Sequence, residues 1–194
     1  SIDNNLTLYL AGDADFTGGN LTATGSAVFD GTSLLTSASE VFNDLTVSGT
    51  SLTLQDTLTA AGNLTISAGE LDAGAPAPGN QINLAGNWTN GASFTPNGNL
   101  VVFDNAGGQT ITSGGTGAGK EFSSIQKSGS GVLSLLTDSL SANGTITVDD
   151  GTSFDLTDLD LAGGAALNNS GTFVMNGGTA TVTLGDVTNG ATGH

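Results

Sequence analysis

Phe42-Asn43-Asp44-Leu45-Thr46-Val47-Ser48-Gly49 returns eighty residues later as Phe122-Ser123-Ser124-Ile125-Gln126-Lys127-Ser128-Gly129. In the first copy Leu45 and Val47 alternate with Asp44, Thr46 and Ser48, the period of a strand with one buried face. The same alternation recurs in Leu6/Leu8/Leu10, Leu52/Leu54, Leu64/Ile66, Ile82/Leu84, Ile146/Val148, Leu159/Leu161 and Val182/Leu184. Between these bursts lie Gly18-Gly19-Asn20, Ser48-Gly49-Thr50, Asn90-Gly91, Asn97-Gly98-Asn99, Asp150-Gly151 and Asn176-Gly177-Gly178. Gly and Asn adopt positive φ readily, so these are turns. No window holds a sustained period of 3.6, and the chain reads as all-β.

Further echoes surround the opening one. Leu58-Thr59-Ala60-Ala61-Gly62-Asn63-Leu64-Thr65-Ile66 matches Leu140-Ser141-Ala142-Asn143-Gly144-Thr145-Ile146-Thr147-Val148. Leu10-Ala11-Gly12-Asp13 matches Leu84-Ala85-Gly86-Asn87 and Leu161-Ala162-Gly163-Gly164, and Val28-Phe29-Asp30-Gly31 matches Val102-Phe103-Asp104-Asn105. Interleaved, they define one array over 1–194 made of degenerate units at about 1–81, 82–158 and a partial 159–194. Each unit divides into strand–turn pieces of about twenty residues, the size of one β-solenoid coil. The expected fold is a parallel β-solenoid of about nine or ten coils, roughly 45 Å long at the ~4.8 Å strand spacing. A β-sandwich is the alternative, since short strands with frequent turns also fit it.

The text FNDLTVSGTSLTLQDTLTAAGNLTISAGELDAG (42–74), with INLAGNWTNGASFTPNGNLVVF (82–103), resembles the Gly-, Asn- and Thr-rich repeats of large bacterial surface and secreted proteins. Autotransporter passengers and filamentous-haemagglutinin-like adhesins are similar in style. The likeness is one of pattern and runs through nearly the whole chain. It implies a right-handed parallel β-helix exposed outside the cell.

Composition narrows the function from another side. Among 194 residues there are 18 Asp and Glu against Lys120 and Lys127, a formal charge of −16, with no Arg. Two lysines cannot neutralise a run of phosphates, which excludes nucleic acid as a partner, and a basic membrane patch fails for the same reason. Cysteine is absent, removing disulfides, zinc–thiolate sites and thiol nucleophiles. No apolar run approaches the ~20 residues needed to cross a bilayer as a helix. Ser1-Ile2-Asp3-Asn4-Asn5 lacks the basic start and apolar run of a signal peptide, so a processed product or a segment of something longer is expected.

Candidate chemistry is sparse. The one histidine is His194, which leaves no Ser/His/Asp triad to build. Asp149, Asp150, Asp155, Asp158 and Asp160 form the densest acidic stretch. Asp158 and Asp160, alternating with Leu159 and Leu161, are expected on the outer side of one strand. Their alternatives are a glycosidase carboxylate pair or, for Asp149, Asp150 and Asp155, a Ca²⁺ site beside Gly turns. Neither a calcium β-roll nonapeptide nor an EF-hand occurs, and the reading is no catalytic residue and no cofactor. Gly114-Gly115-Thr116-Gly117-Ala118-Gly119-Lys120 resembles a phosphate loop superficially, but Glu121 follows in place of Ser or Thr, so a turn is expected. Thr22/Thr24, Thr110/Thr112, Thr145/Thr147 and Thr179/Thr181/Thr183 are Thr-x-Thr arrays of the kind that bind ice in some solenoids, but they sit in different parts of the repeat, and solvated strand faces are the reading. Trp88, at a position equivalent to Ala14 and Ala165, is read as core or coil-edge packing. Asn5, Asn20, Asn63, Asn87, Asn143 and Asn168 head Asn-x-Ser/Thr sequons and are the candidate glycosylation acceptors.

These readings combine into a non-enzymatic, extracellular structural or adhesive solenoid: a cell-surface stalk or fibre component. Neither end shows a cap, and a bare solenoid end exposes core and strand edge. The ends are expected to continue into flanking repeats or to stack head-to-tail on another copy as a filament. A glycan or host-surface target, or a carbohydrate- or ice-binding module, is the alternative, with a polysaccharide-active enzyme behind it.

Overall fold

The computed structural model describes residues 2–4, 7–23, 25–75, 80–176 and 179–190. Among them are 26 short strands and no helix, and every strand pairing is parallel. The chain is a β-solenoid. Each coil visits three faces in turn, as in Val41–Phe42, Asp44–Val47 and Ser51–Leu54, then Leu58–Ala60, Leu64–Ile66 and Glu70–Asp72. Parallel strands cannot be joined by a tight hairpin; here the path around the other two faces is the connection.

The second face is one nine-stranded sheet: Leu8–Leu10, Ser26–Phe29, Asp44–Val47, Leu64–Ile66, Trp88–Asn90, Gln109–Thr112, Val132–Leu135, Ser153–Asp155 and Thr172–Val174. Eight turns separate its first and last strands, about 38 Å at the ordinary strand spacing. The first face has an eight-stranded sheet from Val41–Phe42 to Val187–Asn189, preceded by the pair Ile2–Asn4 and Leu21–Ala23. The third face is interrupted. Its five-stranded sheet ends at Ser93–Thr95, and a separate pair, Leu140–Ser141 and Leu161–Ala162, follows after the irregular segment 113–123.

Alternation sets the core. Leu58, Ile82, Val101, Ile125, Ile146 and Leu167 stack as one inward column of the first face, and all are buried. Leu52, Leu71 and Phe94 do the same on the third face. Trp88 is wholly buried, its ring 4.8 Å from Phe94 and 5.0 Å from Phe122, as core packing requires.

The spacing of paired residues varies. Leu45 pairs with Leu64 nineteen residues on, whereas Leu64 pairs with Trp88 at twenty-four. Consequently the eighty-residue echo does not return to the same face. Asp44–Val47 lies on the second face, but its echo Ser124–Lys127 lies on the first, four turns later less one face. Leu-Ala-Gly at 10–12, 84–86 and 161–163 closes a strand on the second, first and third face respectively. The recurring texts are thus corner modules, usable wherever the chain leaves one face for the next.

Two expected strands differ locally. Of Leu159/Leu161, only Leu161–Ala162 is a strand, and Asp158 and Asp160 sit on the turn before it, still exposed. Val182 makes only an isolated bridge to Leu161. Leu6, Thr24, Asn5 and His194 lie outside the described residues.

Candidate functional surfaces

Most corner N–H groups bond a carbonyl of the neighbouring coil, but at several positions the backbone N–H finds a side chain in place of a carbonyl. These are acidic and amide side chains of the adjacent coil. Asn63 N–H donates to Asp44 Oδ1 at 2.7 Å, Asn87 N–H to Asn63 Oδ1 at 2.9 Å, and Thr110 N–H to Asn87 Oδ1 at 2.8 Å. Four successive coils are tied by this one column. Elsewhere Ser37 and Ala38 N–H donate to Asp56, Leu34 N–H to Asp13, Leu21 N–H to Glu40, and Thr181 N–H to Asp160. These are charge-assisted bonds, so the carboxylates act as coil-to-coil acceptors.

The acidic candidates are therefore dispersed. Asp149 accepts from Gln126 Nε2 at 2.8 Å on the corner before the second face, Asp150 is exposed beside it, and Asp155 ends the second-face strand. Asp155 accepts Thr157 N–H at 2.8 Å and both its oxygens take Asn176 Nδ2. Among the described residues no three His, Cys, Asp or Glu side chains converge as metal ligands, and no cavity opens. The exposed Asp15 carboxyl is held below its usual range by the hydroxyl and N–H of Thr17.

Asn20, Asn63, Asn87, Asn143 and Asn168 are all exposed. Two of these sequons have a structural cause: Asn63 and Asn87 belong to the corner column, and the Thr two residues on is the next outward position of the strand. Asn143 Nδ2 donates to Glu121 at 3.3 Å.

Both lysines bind backbone. Lys127 is fully buried on the inward column Phe103–Lys127–Val148, with Nζ donating to Asn105 O (2.8 Å), Gln109 Oε1 (3.1 Å) and Phe103 O (3.4 Å). Buried Gln109 in turn donates Nε2 to Leu84 O and Gly86 O, both at 2.8 Å. Desolvation pushes the Lys127 ammonium below the ordinary lysine range, opposed by the negative charge of Asp104. The corner between Leu100–Phe103 and Gln109–Thr112 is long, and these polar side chains fill its interior. Sequence reasoning missed this cluster, although the echo aligns Lys127 with Val47, a buried position. Lys120 donates to Ala92 O (2.6 Å), Asn90 O (3.1 Å) and Asn90 Oδ1 (3.4 Å). The 114–120 stretch is the turn expected.

A threonine column also went unseen in the sequence. Thr46, Thr65, Thr89 and Thr112 are in register on four consecutive strands of the second face, all half-buried and outward. Val28 and exposed Tyr9 extend the row. These residues come from single Thr positions, and only Thr112 belongs to an expected pair. Thr145 and Thr147 pair with Ala166 and Asn168, while Thr181 and Thr183 lie outside the strands. Comparison with known proteins finds no matching family model, no matching curated protein and no matching solved structure.

Proposed function

We propose that the chain is a non-enzymatic structural or adhesive solenoid of the cell exterior, a stalk or fibre segment of the kind its resemblance to autotransporter passengers and filamentous-haemagglutinin-like adhesins implies. The observation that carries this reading is the corner column Asp44–Asn63–Asn87–Thr110. Polar side chains that a binding cleft would gather at one point are distributed along the axis, each bracing the next coil. Such a stack sets length and spacing, and the −16 charge keeps neighbouring rods apart. Electron microscopy of the native material tests it. Rods at the cell surface, extended by flanking repeats or by head-to-tail stacking, are expected; a compact particle with hydrolytic activity on polysaccharide would overturn the reading.

A second reading rests on the threonine row. Hydroxyls and methyls repeated at the strand spacing of about 4.8 Å form a regular surface able to order water as ice does. Ice grown in the presence of the protein is faceted if this row binds ice, and Thr65→Lys abolishes the faceting. Unmodified ice growth with the parent protein excludes it.

A further inference from the structure

From the break in the third face we infer that segment 113–121 is a strap, latched by Lys120, over the otherwise unpaired edge of the third-face strand Ser93–Thr95. That strand pairs with Glu70–Asp72 on one side and with no strand on the other. An open edge in the middle of a sheet is a template for unwanted pairing and needs a cover. The strap supplies one. Phe94 N–H donates to Gly119 O at 2.8 Å, and Asn90 Nδ2 donates to the same oxygen at 2.9 Å. One residue on, the Lys120 ammonium reaches across to Asn90 O, Ala92 O and Asn90 Oδ1. Three donors meet three oxygens, so one side chain closes the strap on the coil beneath. Beyond it Phe122 is buried against Trp88 and Phe94 and bridges to Ala142 in the next coil, fixing the foot of the strap.

The strap itself is built to lie close and to bend. Gly114 and Gly119 have φ of +79° and +76°, and a Cβ at Gly119 would stand 2.5 Å from Ser93 Oγ. Gly115 also has positive φ, at +113°. With four glycines between 113 and 121 the segment has little stiffness of its own, so its closure depends on the Lys120 latch and the Gly119 contacts. Released, it leaves the edge backbone of Ser93–Thr95 uncovered while the two neighbouring faces stay intact.

Hydrogen exchange on the full chain tests this. In Lys120→Met the Phe94 amide and the 113–121 amides are expected to exchange at least about tenfold faster, while the Leu64 amide, bonded to Asn87 O of the coil that follows it, keeps its parent rate. Gly119→Ala, which pushes the strap off while leaving Lys120 in place, is expected to give the same local pattern and to perturb the emission of Trp88. Unchanged exchange at Phe94 in both variants overturns the inference. So does a uniform rise that includes Leu64, which would make Lys120 a support of the whole coil stack.

Discussion

At Lys127 an ammonium occupies a slot that Phe103 and Val148 fill with carbon on either side. It is tolerated because three oxygens converge on its three N–H groups. Its folded-state pKa lies below the ordinary value, so in the interval between the two the unfolded chain retains a proton that the folded chain has released. Stability therefore rises with pH across that interval and is level below it, where both states hold the proton. Thermal unfolding followed from pH 8 upward should show this rise in the parent protein and none of it in Lys127→Met; equal slopes would deny the residue this role. Ser33 presents the opposite case. It faces inward at the head of the column Ser33–Leu52–Leu71, and its buried Oγ has no hydrogen-bond partner. Ser33→Ala is expected to stabilise the fold by about 1 kcal/mol in denaturant titration, since only a desolvated hydroxyl is lost. The buried Trp88 Nε1 also lacks a hydrogen-bond acceptor, but the indole lies edge-on or tilted to two phenylalanine rings.

For the corners between strands, glycine is a matter of distance as much as of φ. A Cβ at Gly31 would stand 2.0 Å from Ala11 O, and one at Gly131 would stand 1.7 Å from Gly107 O. Adjacent coils touch there backbone to backbone. Gly31→Ala must push two coils apart and should destabilise by about 2 kcal/mol or more, whereas Gly108→Ala, with nothing within 4 Å of the new carbon, should be nearly silent. Chemical denaturation of the pair measures the contrast, and similar losses would refute the close-approach account. The turn signals were legible in the sequence for this reason: Gly and Asn mark the corners whatever their function. Which corner each one marks was not legible, because a coil holds eighteen residues between Ala27 and Leu45 but twenty-four between Ile111 and Leu135.

For the whole rod, the two lysines contribute little to the outer surface, since Lys127 is buried and Lys120 is turned onto backbone oxygens. The exterior is a nearly unopposed array of carboxylates. Light scattering should show lateral association growing as acidification removes the negative charge and as salt shortens the screening length. Association insensitive to both would remove charge as the cause of separation. Alternating apolar pairs determined from the sequence alone that the chain is all-β, and the recurring corner texts favoured a solenoid over a β-sandwich; both are local properties. Only the tertiary structure decided what depends on register: that an echo lands on another face, that scattered threonines form one row, that Lys127 lies inside, and that the third face breaks at Ser93–Thr95. Register accumulates every extra corner residue along the chain, so residues far apart in sequence become neighbours through the sum of all the turns between them.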